Sequence, residues 1–179
     1  MSFCLIILAA GNSHRFRSKV RKPYQKIAGK SLIEINVIKA RKFKQIKKII
    51  IVYNKKDLKL VKSLKLKNVE LITGGKSRQE STFKALKHLK VKKGISKVLI
   101  HDVARPNFSL KLLNSIIKNM KNSRAVVPKI QIQDAVKQII DSSKEEYILG
   151  KKRDNLFLTQ TPQAINLTEI YQLHNNNFL

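Results

Sequence analysis

Six consecutive apolar residues close to the N-terminus, Phe3-Cys4-Leu5-Ile6-Ile7-Leu8, run directly into Ala9-Ala10-Gly11-Asn12-Ser13-His14-Arg15. A run this short, apolar on every side and ended by a glycine, reads as a fully buried strand rather than a free-standing helix. The seven residues after the run limit the fold further. Small side chains let a polyanion approach the backbone, backbone N–H groups bind phosphate oxygens, and an arginine neutralises charge. A buried strand emptying into such a loop is the start of an α/β nucleotide-binding fold.

The rest of the chain keeps that rhythm. Further apolar runs stand at Ile49-Ile50-Ile51-Val52, Val69-Glu70-Leu71-Ile72, Val98-Leu99-Ile100 and Ala125-Val126-Val127. Amphipathic stretches at 31–43, 56–64, 79–89 and 110–120 separate them. In the third, Phe83, Leu86 and Leu89 fall at helical spacing, and Ser77-Arg78-Gln79-Glu80 reads as a capping box. Strands that are unbroken apolar runs, alternating with helices, predict a mostly parallel sheet covered on both faces. Ligands of such sheets bind beyond the carboxyl ends of the strands. The loops at Gly11, Gly74-Gly75 and Asp102 each follow a strand, so they can converge there.

From 130 to 153 the grammar changes. Ile130-Gln131-Ile132-Gln133 alternates, Val136 to Ile140 does so more loosely, and Asp141-Ser142-Ser143-Lys144 reads as a turn before Tyr147-Ile148-Leu149. This is a hairpin. By pattern alone it is either an arm that pairs with another subunit or an edge of the chain's own sheet.

Charge and composition narrow the function classes. The chain has 179 residues, enough for one domain with a core of its own. Lys+Arg 38 against Asp+Glu 11 gives a net charge of +27, which raises the question of nucleic acid. The lysines, however, are scattered in ones and twos. No dense basic arm or aromatic-interleaved patch of the kind single-strand binding uses is present, and nucleic acid is not the expected partner. Cys4, inside an apolar run, reads as a small buried hydrophobe, and one cysteine excludes an internal disulfide framework. No segment approaches the ~20 apolar residues of a membrane span, and the first apolar run lacks the basic lead of a secretory signal, so the expected location is the cytoplasm.

The motifs taken together resemble one family. Ala9-Ala10-Gly11 with Arg15, then Lys22 and Tyr24, Gly74-Gly75-x-x-Arg78-x-x-Ser81, His101-Asp102-x-Ala104-Arg105-Pro106, Asp134-x-x-Lys137, and Arg153 with Gln160-Thr161-Pro162-Gln163 stand in order along the chain. This set is similar to that of the 2-C-methyl-D-erythritol 4-phosphate cytidylyltransferases of the non-mevalonate isoprenoid pathway. The resemblance implies a Rossmann-like nucleotidyltransferase fold and transfer of CMP from CTP to a sugar-alcohol phosphate with loss of pyrophosphate. It implies Arg15 and Lys22 as transition-state stabilisers, with Ala9, Ala10, Gly11, Asn12, Ser13, Gly75 and Ser81 around the nucleotide. Asp102 becomes the nucleotide-site acid that would hold Mg2+. Arg105, Ala135, Lys137, Arg153 and Thr161 fall to the substrate, and the hairpin becomes an arm of a homodimer that carries Arg153 into the partner's site. His101 reads as structural, with no second histidine at zinc-ligand spacing.

Several positions depart from the family pattern. Ser13 replaces a second glycine and His14 a basic residue, Arg21-Lys22-Pro23-Tyr24 replaces a Pro-Lys-Gln-Tyr run, Lys76 stands where an acid is frequent, and Ala135 where a threonine is usual. Family members also continue for several tens of residues past the position of Leu179, through a second acid and a further lysine. The resemblance therefore implies a fragment of a longer protein, or a natural truncation, with a fused downstream domain as one form of the missing part. Two rival readings remain: a ribitol-5-phosphate cytidylyltransferase sharing fold and chemistry, and a basic RNA-binding protein on a relic enzyme fold.

Overall fold

The computed structural model describes residues 1–12, 18, 20–141, 146–148 and 153–176; for 138–141, 146–148 and 153 it describes the backbone alone. The chain runs β1 (Phe3–Ala9), a 3-10 turn (Lys22–Tyr24), β2 (Lys26–Ile27), β3 (Lys30–Ser31), α1 (Leu32–Arg41) and β4 (Ile46–Tyr53). A second 3-10 turn (Lys55–Asp57) leads to α2 (Leu58–Ser63), β5 (Glu70–Thr73), α3 (Arg78–Lys90), β6 (Lys97–Asp102) and α4 (Leu110–Asn119). The remainder is β7 (Ala125–Val126), β8 (Lys129–Gln131), β9 (Gln138–Asp141), β10 (Glu146–Ile148), a 3-10 turn (Arg153–Asn155), β11 (Phe157–Thr159), β12 (Gln163–Asn166) and α5 (Leu167–Asn176).

Six strands form one sheet in the order β5-β4-β1-β6-β12-β7. β1 lies between β4 and β6, parallel to both, and β5 is parallel to β4. β12 enters antiparallel between β6 and β7. The apolar run at 3–8 is thus the centre of the sheet, which is why it has no polar face. Its period-two alternation sorts the core into two layers. Phe3, Leu5, Ile7 and Ala9 face one side with Ile33 and Val37 of α1, Val61 of α2, and Leu113 and Ile116 of α4. Cys4 and Ile6 face the other with Ala85, Leu86 and Leu89 of α3 and Leu167 at the start of α5. Burial pushes the Cys4 thiol pKa upward, so it stays protonated and packs as a hydrophobe.

The capping box expected at α3 is only half made. Ser77 accepts the Glu80 N–H at 3.0 Å, but the Glu80 carboxylate turns outward to the Lys76 N–H at 2.7 Å. That shift fixes the glycine loop before the helix instead of closing the cap. The complete box is at α1: Ser31 accepts from the Glu34 N–H, and the Glu34 carboxylate accepts from the Ser31 hydroxyl and the Ser31 N–H, both at 2.7 Å, which together hold its carboxyl below the usual range.

The hairpin grammar after residue 130 corresponds to two antiparallel ribbons outside the main sheet, β8 with β11 and β9 with β10. The expected turn residues Ser142, Ser143 and Lys144 lie outside the described residues. Among the described residues no helix is long and apolar enough to cross a membrane.

Candidate active site

The carboxyl ends of β1, β4, β5 and β6 open onto a cleft of about 500 Å3 lined by Ala10, Gly11, Asn12, Asn54, Gly75, Ser81 and Asp102, among others. Parallel strands bring these ends to one edge of the sheet, and the loops leaving them form the walls. Ala9 is the last residue of β1, is buried in the core, and orients Ala10 without itself lining the cleft.

One wall depends on glycines for lack of space. A Cβ on Gly74 would stand 2.3 Å from the Ala10 Cβ and 3.0 Å from the Ser81 Oγ. The Gly74 backbone therefore packs directly against the Ala10 methyl, which brings the loops after β1 and β5 together. The Gly75 N–H donates to the Ser81 Oγ at 3.0 Å, so the serine uses a lone pair there and keeps its proton for another acceptor.

Across the cleft, Asp102 ends β6 with both carboxylate oxygens faced by guanidinium groups. Arg78 Nε donates to Oδ1 at 3.0 Å and Arg105 Nε stands 3.5 Å from Oδ2. Arg105 also donates to the Gln160 Oε1. Behind this edge lies a buried relay. Asp102 N donates to Thr161 Oγ1 at 3.3 Å, Thr161 Oγ1 meets His101 Nδ1 at 3.0 Å, and His101 Nε2 meets Asn36 Oδ1 at 2.9 Å. Burial drives the His101 pKa down to about 4, so the ring is neutral. His101 also stacks edge-on against Phe108.

The other sequence-expected residues are distributed around this cleft. Ser13 and Arg15 lie outside the described residues. Lys22 opens the 3-10 turn beside Arg21 and does not line the cleft. Thr161 is buried behind Asp102. Ala135 and Lys137 are exposed between β8 and β9 and neither lines the cleft, while for Arg153 the backbone alone is described, at the start of the turn before β11.

Sequence reasoning missed Asn54, Arg21 and Asn36. Asn54 donates to the Ala10 carbonyl and to Asn12 Oδ1, both at 3.0 Å, and Arg21 donates to the Gly11 carbonyl at 2.9 Å. The available signal for Asn54 was its position directly after a strand, the same position that marked Gly11 and Asp102.

A model of the family described as 2-C-methyl-D-erythritol 4-phosphate cytidylyltransferase matches residues 3–178. The chain belongs to this family. It is 46% identical over 176 residues to a bifunctional IspD/IspF enzyme of Pelagibacter ubique, an alignment covering 98% of this chain and 46% of that protein. It is 29% identical to the 2-C-methyl-D-erythritol 4-phosphate cytidylyltransferase of Clostridioides difficile, covering 98% of this chain and 76% of that one. Two solved structures match its fold. The 4-diphosphocytidyl-2C-methyl-D-erythritol synthase of Anaerococcus prevotii gives a TM-score of 0.82 at 30% identity, over 99% of this chain and 75% of that one. The bifunctional IspDF of Campylobacter jejuni gives 0.83 at 28%, over 99% and 44%. The chain thus spans less than half the length of the bifunctional relatives, and about three quarters of the single-function cytidylyltransferases.

Proposed function

We propose that this chain transfers CMP from CTP to 2-C-methyl-D-erythritol 4-phosphate, giving 4-diphosphocytidyl-2-C-methyl-D-erythritol and pyrophosphate. The observation that carries the reading is the convergence, in one cleft of a family member, of a small-residue loop, a glycine–serine wall and one carboxylate flanked by guanidinium groups. That combination suits a nucleoside triphosphate: an apolar, backbone-lined slot for the base and a charged end for the phosphates.

The reaction is one displacement. A phosphate oxygen of the acceptor attacks the CTP α-phosphorus, the bond to the bridging oxygen breaks, and pyrophosphate carries away the electron pair. No covalent enzyme intermediate is required, so positioning and charge stabilisation supply the catalysis. Arg15 and Lys22 are assigned to the phosphates, where an arginine fork holds two oxygens of the leaving group and a lysine meets the α-phosphate. Ser81 is assigned to the base. With its oxygen accepting from Gly75, its proton is suited to cytosine N3, a position where uracil carries a donor instead. Arg105 is assigned to the acceptor, with Thr161 acting from behind through the Asp102 edge it supports rather than by contact, and with Ala135, Lys137 and Arg153 reaching the acceptor from the arm of a second protomer.

A divalent cation fits this site in one way. Among the described residues no three His, Cys, Asp or Glu side chains gather as a cage. Asp102 offers a single carboxylate at the charged end of the cleft, its oxygens paired with Arg78 and Arg105, so a cation would take the place of one of those ion pairs. Magnesium is commonly held by one or two carboxylates and completed by phosphate oxygens and water. Asp102 would hold it, and the ion would neutralise charge on the triphosphate.

The test is pyrophosphate release from CTP with methylerythritol phosphate, ribitol 5-phosphate or neither, measured on the protein encoded by the complete reading frame. Release dependent on methylerythritol phosphate is expected. Turnover with ribitol 5-phosphate alone would overturn the assignment.

A further inference from the structure

Two successive carbonyls of the loop after β1 are held by side chains from outside it. Asn54 Nδ2 donates to the Ala10 carbonyl at 3.0 Å and to Asn12 Oδ1 at 3.0 Å, while its Oδ1 accepts the Lys56 N–H at 3.1 Å. Both donor positions of that amide are committed, and the Lys56 bond fixes which end is the donor. One residue further along, Arg21 Nη2 donates to the Gly11 carbonyl at 2.9 Å while Nη1 donates to Asp57 Oδ1 at 3.0 Å. Asp57 is 3% exposed, so the guanidinium is anchored to a carboxylate that has little solvent to turn to. Asn54 caps the 3-10 turn after β4 and Asp57 is its last residue.

We infer that Asn54 and Arg21 are positioning residues that aim the Gly11 and Asn12 N–H groups at the polyphosphate of the nucleotide. In a trans peptide the C=O and N–H point in opposite directions. The Ala10 carbonyl shares its plane with the Gly11 N–H, and the Gly11 carbonyl shares its plane with the Asn12 N–H. The Ala10 carbonyl is drawn to Asn54 at the head of the turn that follows β4, and the Gly11 carbonyl to Arg21, which is anchored on Asp57 of that turn. Both N–H groups are therefore turned to the other side of β1, the side of β6 and Asp102. Adjacent N–H groups facing one way form an anion-binding concavity. Fixing their direction before the ligand arrives removes the reorganisation that a free loop would undergo on binding. Arg21 spends its charge on Asp57 and Gly11 rather than on substrate, so this arginine acts through the backbone. The inference rests on the nucleotidyltransferase reading for the identity of the ligand, but on the structure alone for the direction of the N–H groups.

Two conservative variants separate positioning from folding. Asn54→Asp keeps the oxygen that accepts from Lys56 and removes the donor to Ala10 and Asn12. Arg21→Lys keeps a cation for the buried Asp57, where an outright deletion would strand a charge, and loses the fork that spans to Gly11. Calorimetric titration with CTP and with inorganic tripolyphosphate, beside thermal melts, reads the result. Each variant is expected to melt within about 2 °C of the parent and to bind both ligands about tenfold more weakly. In turnover the KM for CTP rises while that for the acceptor does not. Unchanged affinity for both ligands in folded Asn54→Asp and Arg21→Lys, or an equal rise of the two KM values, would overturn the inference. A loss confined to tripolyphosphate binding, in a parent protein that does not prefer CTP over UTP or ATP, would retain the clamp and remove the cytidylyltransferase reading.

Discussion

Thr161 Oγ1 stands 3.0 Å from His101 Nδ1, and the proton between them belongs to the threonine. The assignment comes from Asn36 at the far end of the relay. Its Nδ2 donates to the carbonyls of Leu32 at 2.8 Å and Val103 at 3.1 Å, so its Oδ1 must be the atom facing the ring. His101 Nε2 is then the protonated nitrogen, Nδ1 is the acceptor, and Thr161 donates to it while receiving the Asp102 N–H. A proton-detected 15N correlation spectrum is expected to show the Nε2–H form at neutral pH. Asn36→Asp would favour the charged ring, raise the His101 pKa and reverse the Thr161 bond.

The same ring makes stability depend on pH in a definite direction. His101 is held neutral by burial, its pKa lowered from 6.5 to about 4. Between those values the unfolded chain binds a proton that the folded chain refuses, so stability falls as pH drops through 6.5 and levels off below about 4. The contribution is roughly 3 kcal/mol across that interval. Urea unfolding at pH 7 and pH 5 captures about 2 kcal/mol of it. His101→Gln removes this part of the slope, at a cost on the order of 2 kcal/mol for the disturbed relay.

The two loop glycines are expected to respond oppositely to alanine. At Gly74 the new methyl would meet Ala10 Cβ at 2.3 Å, an atom fixed by backbone, so the variant should lose about 3 kcal/mol and its CTP affinity together. At Gly11 a Cβ meets nothing within 4 Å among the described residues, and the variant should retain its melting behaviour to about 0.5 kcal/mol. It lines the cleft, so any loss of CTP affinity in Gly11→Ala comes from the ligand's space and not from the fold. Melts and titrations on the two proteins in parallel decide this.

Much of this architecture was legible because buried parallel strands advertise themselves as unbroken apolar runs. The run at 49–52 became the inner part of β4, and those at 69–72 and 98–100 lie within a residue of β5 and inside β6. β12 was not legible. Gln163-Ala164-Ile165-Asn166 is too short and mixed to announce itself, and it is a strand because β6 and β7 offer it partners on both sides. The site divided in the same way. Gly74, Gly75 and Asp102 were marked by local pattern at strand ends. Asn54 shares the strand-end position but carries no motif, and Asn36 lies within α1; their roles are set by carbonyls 44 and 67 residues away in sequence. The misplaced capping box has a similar cause: Ser77 and Glu80 have the right spacing, but the carboxylate is drawn to the N–H of Lys76 in the loop.

Dimerisation through the arm gives the final expectation. The inner ribbon leaves Ile130, Phe157 and Leu158 each about half exposed, at 51%, 52% and 53%. Ile130 and Leu158 pair across the ribbon and share one face while Phe157 lies on the other, so the ribbon carries apolar surface on both faces, which favours burial against a second copy. Phe157→Asp with Leu158→Asp is expected to yield monomers by sedimentation while the main sheet, which the ribbon does not join, stays folded. If Arg153 serves the partner's cleft, Asp102→Asn and Arg153→Ala should each be nearly inactive alone. Mixed and allowed to exchange subunits, they should recover about a quarter of parent activity, because half the dimers would be mixed and each of those would hold one intact site. An arm that served its own cleft would leave the mixture as inactive as its parts.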